Sequence, residues 1–255
     1  MNENRFDKKG RIYSASRPSY PDELFGILSG EGIIGKNSVL ADIGAGTGIF
    51  SAQLSKYAKK VYAVEPNEDM RKAANEFLFY TDNTEVSGGS AENTGLKNGC
   101  IDCIAAAQAF HWFDGSLFAK ECKRILKPHG AVVLVWNIRD ENDPLIKANY
   151  EINRVYCDNF TSLGEKTGFS GKNRDSIDSF FSMLGTNAKH ITLKNNIKYD
   201  LDTFIGRNLS SSYAPIGAAA KGYVKALSDL FSEYENNGEV AYPYITDCFY
   251  GKLTV

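Results

Sequence analysis

The chain has 255 residues, 43% of them hydrophobic and 24% charged, with a formal net charge of −2. These values suit a soluble globular protein with a proper core and leave no global basic field to gather nucleic acid. The polar, mixed-charge stretch from Met1 to Lys9 lacks the apolar run of a secretory signal, and no window approaches the ~20 apolar residues of a membrane span, so a soluble, cytoplasmic protein is expected.

From about Ser38 to Trp136, short apolar runs alternate with helical patterns, the signature of βαβ units and a mainly parallel sheet. Val39-Leu40-Ala41 reads as a first buried strand. Phe50, Leu54 and Tyr57 recur at i, i+4, i+7 and predict an amphipathic helix on the sheet. Val61 to Val64 is a second strand ending at Glu65, followed by the helical stripe Met70, Ala73, Ala74 and Phe77 and by a short strand near Thr84 to Ser87. Cys103 to Ala107 reads as a fourth strand. Phe118, Cys122, Ile125 and Leu126 mark the next helix, stopped by Lys127-Pro128-His129-Gly130 before the apolar strand Ala131 to Trp136.

Five scattered cysteines do not form a disulfide framework. Cys100-Ile101-Asp102-Cys103 matches CxxC, but there is no second pair, and His111, His129 and His190 are not at ligand spacing. Buried thiols at the start of a strand are expected there, and no metal site.

Beyond Arg139 the βα rhythm is lost. Asn142 to about Phe160 and Lys221 to Tyr234 read as helices, and His190 to Tyr199 and Val240 to Phe249 as late strands antiparallel to the rest. With no repeat, low-complexity tract or clear linker, these are expected to be additions to a single domain over 1–255. Its parts are an N-terminal cap at 1–34, a cofactor half at about 35–138 and substrate-side additions at 139–255.

The informative segment is Asp42-Ile43-Gly44-Ala45-Gly46-Thr47-Gly48, directly between a strand and a helix. Glycines there let the backbone turn sharply and approach a ligand. A dinucleotide fingerprint G-x-G-x-x-G would put its last glycine at Ile49 or Ser51; D-x-G-x-G-x-G stands instead. That pattern resembles motif I of the class I S-adenosylmethionine-dependent methyltransferases, whose loop passes under the methionine part of the cofactor. The resemblance makes Asp42, Gly44, Ala45 and Gly46 cofactor residues.

Glu65 ends the second strand, where a carboxylate can accept hydrogen bonds from both ribose hydroxyls. Pro66 and Asn67 follow it, with no arginine immediately after to welcome a 2′-phosphate; taken alone, Glu65 could be an exposed strand-end charge. By the same resemblance, Ser90, Ala91 and Glu92 reach the adenine edge and Met70 packs on its face, although Met70 reads equally well as a core residue. Gln108 to Asp114 is an aromatic loop at the carboxyl edge of the sheet. Its first residues, Gln108 and Ala109, join the cofactor set; Phe110 and Phe113 read as a hydrophobic plug, and His111 and Trp112 as site residues able to surround a sulfonium and exclude water. The Asn/Asp-Pro-Pro-aromatic signature of enzymes that methylate amino groups of DNA or protein glutamine is missing.

Tyr13-Ser14-Ala15-Ser16-Arg17-Pro18-Ser19-Tyr20-Pro21 is similar to the N-terminal segment of one branch of that family, the trans-aconitate methyltransferase-like proteins. The aromatic loop, Trp136-Asn137-Ile138-Arg139 and Ser210-Ser211-Ser212-Tyr213 extend the likeness. It implies an α/β, doubly wound, Rossmann-like sheet of seven strands in the order 3-2-1-4-5-7-6 with strand 7 antiparallel. It also implies that Tyr13 and Arg17 lie over the cofactor, with Arg17 on the methionyl carboxylate; an arginine capping a nearby helix is the alternative.

Methyl transfer from a sulfonium is an in-line displacement, so the protein's part is mostly alignment and desolvation. A carboxylate acceptor needs no base, whereas a hydroxyl or amine can; His111 is the candidate, its ordinary pKa of ~6.5 suiting that task. Arg139 and Arg207 could clamp an acidic acceptor, with Trp112 and Tyr213 beside them; Arg139 could also simply pair with Asp140. The expected partner is a small molecule, with neither nucleic acid nor membrane, and the chain a monomer or homodimer. A nicotinamide (NAD) oxidoreductase and a SAM-binding regulator without turnover stay open as alternatives.

Overall fold

A computed structural model describes residues 18–158, 160, 172–211 and 213–253. Seven strands, β1 (Val39–Ile43), β2 (Lys60–Val64), β3 (Thr84–Ser87), β4 (Ile101–Ala107), β5 (Leu126–Arg139), β6 (Lys189–Tyr199) and β7 (Val240–Lys252), form one sheet in the order β3-β2-β1-β4-β5-β7-β6. The pairs β2–β3, β1–β2, β1–β4 and β4–β5 are parallel, and β7 is antiparallel. The fold implied by the motif likeness is therefore the fold observed.

The helices are α1 (Asp22–Gly30), α2 (Ile49–Ser55), α3 (Glu68–Phe77), α4 (Gly115–Ile125), α5 (Pro144–Tyr156), α6 (Lys172–Met183), α7 (Leu201–Leu209) and α8 (Ala219–Tyr234). None of the described helices is long and apolar enough to cross a membrane.

The chain divides into two compact units. Ser19–Asn137, Gly171–Leu193 and Thr246–Val255 form the first, and Ile138–Ser170 with Lys194–Ile245 make up most of the second. The borders at 137/138, 193/194 and 245/246 fall inside β5, β6 and β7, so three strands contribute residues to both units.

In the first unit, Leu40, Val61, Ala105 and Val133 of the sheet pack with Phe50 and Leu54 of α2 and with Leu24, Phe25 and Leu28 of α1. Burying that face removes apolar surface from water at roughly 25 cal/mol per Å². Tyr57 lies beyond the end of α2, yet its ring stacks on Phe25 at 5.0 Å and 6°, so the expected stripe is met by a residue outside the helix. In the second unit, Leu145, Ile146, Phe204, Tyr223, Leu227 and Tyr242 form a separate core.

Two boundaries differ from the sequence expectation. The Lys127-Pro128-His129-Gly130 break is instead part of β5, which starts at Leu126 directly after α4; a register shift opposite Ile101/Cys103 and a left-handed His129 (φ 60°) absorb the corner. The helix expected from Asn142 to Phe160 runs only from Pro144 to Tyr156, because Asp143 caps it by accepting from the Leu145 amide at 2.8 Å and Pro144 fits its first position.

Candidate functional site

The loop after β1 turns through three left-handed glycines, Gly44 (φ 71°), Gly46 (φ 56°) and Gly48 (φ 85°). Two of them are also places of close approach: a Cβ on Gly44 would lie 2.7 Å from the Ala109 Cβ, and one on Gly48 would lie 2.8 Å from Leu78 Cδ1. The first contact brings the loop after β1 against the loop after β4. Gly44, Ala45 and Gly46 remain partly exposed while Asp42 and Ile43 before them are buried.

The amides of this loop are used within the protein. Gly44 N and Ala45 N donate to the Val64 carbonyl at 2.9 and 3.1 Å, and Gly46 N donates to Glu65 Oε2 at 2.9 Å. The other oxygen of Glu65 accepts from Asn67 N at 2.9 Å. Asp42 is fully buried beside it. Its Oδ2 accepts from Ser51 Oγ at 2.6 Å, whereas Oδ1 has no partner among the described residues. Burial pushes the Asp42 carboxyl up to about 7; the Ser51 hydrogen bond draws it down, and the charge of Glu65 raises it. Arg71, six residues past Glu65, spends its guanidinium on the carbonyls of Glu65 and Pro66. The loop therefore carries the Glu65 carboxylate, a buried acid group at Asp42 that is partly protonated near neutral pH, and few free donors, a setting that disfavours a pyrophosphate.

The remaining residues of the first set surround this loop or the strand ends beside it. Met70 is half-buried in the first turn of α3, where its amide donates to Asn67 Oδ1 at 3.0 Å, and Pro66 is exposed. Ser90 pairs with Asn93 across a tight turn, Ala91 is buried, and Glu92 Oε1 accepts from the Asp114 amide at 3.0 Å. Gln108 adopts a left-handed φ of 56° and donates from Nε2 to the Asn137 carbonyl at 2.8 Å. Phe110 is buried against Phe180 of α6 at 4.9 Å between ring centres, as a plug would be. His111 and Trp112 sit in a 3-10 turn, with Trp112 81% exposed. Partial burial lowers the pKa of His111. Tyr13 and Arg17 lie outside the described residues.

In the second unit, Arg139, Arg207 and Tyr213 form one cluster. Arg207 is buried, donates from Nε to Tyr244 Oη at 2.8 Å and from Nη1 to Asn208 Oδ1 at 3.3 Å, and lies 4.4 Å from the centre of the Tyr242 ring. Arg139 donates from Nη2 to Tyr213 Oη at 3.2 Å and lies 5.5 Å from the Tyr150 ring. Among the described residues, neither guanidinium has a carboxylate partner; Arg139 does not pair with Asp140. Arg207 is thus a buried positive charge held by neutral oxygens and aromatic rings among the described residues.

Several contributors escaped the sequence reading. Ser51 holds Asp42, and Tyr242 and Tyr244 hold Arg207. Asn149 and Asn153, i and i+4 on α5, accept from Tyr242 and Tyr223 at 2.7 Å each. The alternation of Tyr242 and Tyr244 along β7 was the available signal.

Residues 41–134 match the family described as a methyltransferase domain. A Dictyostelium discoideum protein named as a methyltransferase is 36% identical over 135 residues, covering 53% of this chain and 49% of its own. An uncharacterized methyltransferase of Mycobacterium tuberculosis is 27% identical over 240 residues, covering 92% of this chain and 90% of its own. The chain thus spans about half the length of its Dictyostelium and Schizosaccharomyces pombe relatives. A solved structure of a type II methyltransferase from Anaeromyxobacter dehalogenans is similar with a TM-score of 0.61 at 22% identity, over 93% of this chain and 98% of that one. At that identity the likeness is one of fold.

Proposed function

We propose that this chain binds S-adenosylmethionine on its first unit and transfers the methyl group to a small organic acid. The observation that carries the reading is Glu65 at a glycine loop whose Gly44, Ala45 and Gly46 amides donate within the protein, which leaves few donors for the pyrophosphate of NAD. The match of residues 41–134 to a methyltransferase domain supports it.

When bound, the cofactor supplies an activated methyl group on a positively charged sulfur. Asp42, Gly44, Ala45 and Gly46 would hold its amino acid part, Glu65 its ribose, and Met70, Ser90, Ala91 and Glu92 its adenine. Pro66, Gln108 and Ala109 would complete the walls, and Tyr13 and Arg17 are assigned to the cofactor from the sequence likeness. His111 presents a neutral ring near neutral pH, because partial burial disfavours its charged form, and can take a proton or face the sulfonium without repelling it. Arg139, Arg207 and Tyr213 of the second unit would anchor the acid, and Trp112 is assigned to the acceptor from the sequence reading alone. The protein's contribution is to orient the acceptor ~3 Å from the methyl carbon and to exclude water. A cytoplasmic monomer or homodimer belongs to the same reading.

Calorimetric titration with S-adenosylmethionine and with NAD tests the first half: binding of the former alone is expected, and preference for NAD overturns the proposal. A labelled-methyl assay over a panel of organic acids tests the second. If Arg139→Ala and Arg207→Ala both left turnover of every acid unchanged, the acceptor assignment would fail.

A further inference from the structure

We propose that Asp42 holds a proton in the free site and gives it up when the positively charged cofactor binds, so that acid weakens the hold on S-adenosylmethionine. This rests on the methyl-transfer reading above and deepens it, because there Asp42 is only one of several residues that hold the amino acid part.

The carboxyl lies where a negative charge is hard to keep. Asp42 is in β1 between Ala63 of β2 and Ala105 of β4, and it is fully buried. Its Oδ2 accepts from Ser51 Oγ of α2 at 2.6 Å, and Oδ1 has no partner among the described residues. An anion there lacks both water and a full set of donors, and adding a proton removes that cost.

Glu65, just past the end of β2, is the charged group that acts on Asp42 among the described residues. It is held differently: Oε2 accepts from the Gly46 amide and Oε1 from the Asn67 amide, at 2.9 Å each. Both of its oxygens are answered by N–H donors, as suits a carboxylate, whereas Asp42 has one oxygen unanswered. Burial is the largest cause that pushes Asp42 up to about 7; hydrogen bonds from Ser51 work against it, and the Glu65 charge adds to it. At neutral pH the free site is then close to an even mixture of the two forms.

With an ammonium, a sulfonium and one carboxylate, the cofactor carries a net positive charge. Held at this loop, that charge favours the Asp42 anion, because opposite charges attract strongly where water is excluded. The O–H bond of the Asp42 carboxyl breaks, its electron pair stays on the oxygen, and the proton passes to water. Linkage fixes the sign: binding that releases a proton strengthens as pH rises through the free-site value of about 7 and weakens as pH falls below it.

The test uses the whole chain. Calorimetric titration with S-adenosylmethionine in buffers of different ionisation enthalpy counts the protons. At pH 7, wild type should release about half a proton more than Asp42→Asn, a difference that cancels any uptake by the cofactor's own amino group. Between pH 6 and pH 8, wild-type affinity should rise about tenfold relative to that variant. Ser51→Ala loses the hydroxyl that favours the anion, so it should move the midpoint of the pH profile upward and raise the release at pH 7; it carries the comparison if Asp42→Asn does not bind.

Infrared difference spectra supply a readout that needs no turnover. The free protein at about pH 6 should show a protonated-carboxyl band that Asp42→Asn lacks, and saturation with S-adenosylmethionine should abolish it. Equal proton release in wild type and Asp42→Asn, an unmoved midpoint in Ser51→Ala, no band specific to Asp42, or a band that persists in the saturated complex each overturn the proposal. If the band is found but S-adenosylmethionine binds at no pH, it is the methyl-transfer reading that fails.

Discussion

Glu65 accepts from the Gly46 amide at 2.9 Å, so the carboxylate assigned to a ribose also braces the loop assigned to the amino acid part of the same ligand. Glu65→Gln keeps one acceptor, sets an NH2 group against the other amide and removes the charge. It should lower S-adenosylmethionine affinity by about tenfold or more and cost about 1–3 kcal/mol of stability. Glu65→Ala leaves two amides unanswered and should cost a further ~1–3 kcal/mol. Calorimetry and thermal unfolding separate the two effects; equal affinity in Glu65→Gln would remove this residue from the site.

Gly44→Ala meets two obstacles, the left-handed φ of 71° and the Ala109 Cβ at 2.7 Å. The expected loss is about 2–4 kcal/mol, the sum of a left-handed penalty and a clash. Gly95→Ala has a similar φ of 73° and nothing within 4 Å, so it should cost only the first of these. Denaturant midpoints of the two variants should therefore differ; equal midpoints would show that the loop relaxes away from Ala109.

Glu121 is a structural carboxylate whose titration should be visible. Burial raises its pKa, but hydrogen bonds from Arg124 and from Thr94 outweigh that and hold it at about 2. Because the folded value lies below the unfolded one, the stabilisation is fully present above the ordinary glutamate range of ~4.3 and is lost as pH falls toward about 2. Glu121→Gln should lower stability at neutral pH by about 1–3 kcal/mol and flatten the acid limb of the stability curve. An unchanged acid limb would assign it to other groups.

Asp42 has the opposite sign. Its folded value of about 7 lies above the ordinary aspartate value of 3.8, so the folded chain holds an extra proton between them and stability falls as pH rises across that window. Asp42→Asn should abolish this slope, which urea unfolding at a series of pH values would measure. A slope retained in the variant would place the titration elsewhere.

The sheet was legible because β1, β2, β4 and β5 are short Val-, Ile-, Leu- and Ala-rich runs between helical stripes, and buried parallel strands carry that signal in their own residues. α1, α6 and α7 were not read. α6 buries Ile177, Phe180 and Phe181 but sets them in the polar stretch Lys172–Met183, and α7 is nine residues long, too short for a clear period. The glycine loop was readable for the same local reason as the strands: its spacing encodes its turn. The cage around Arg207 was not, because Tyr244 reaches it from 37 residues away and only folding brings the two together.

The three strands that contribute to both units limit how this protein can be recombined. A cut at 137/138 severs β5, and cuts at 193/194 and 245/246 sever β6 and β7, so the second unit could not be lifted out as one continuous piece. Exchange of the second unit would therefore have to carry several chain segments at once and cut three strands, whereas point substitution at Arg139, Arg207 or Tyr213 cuts none.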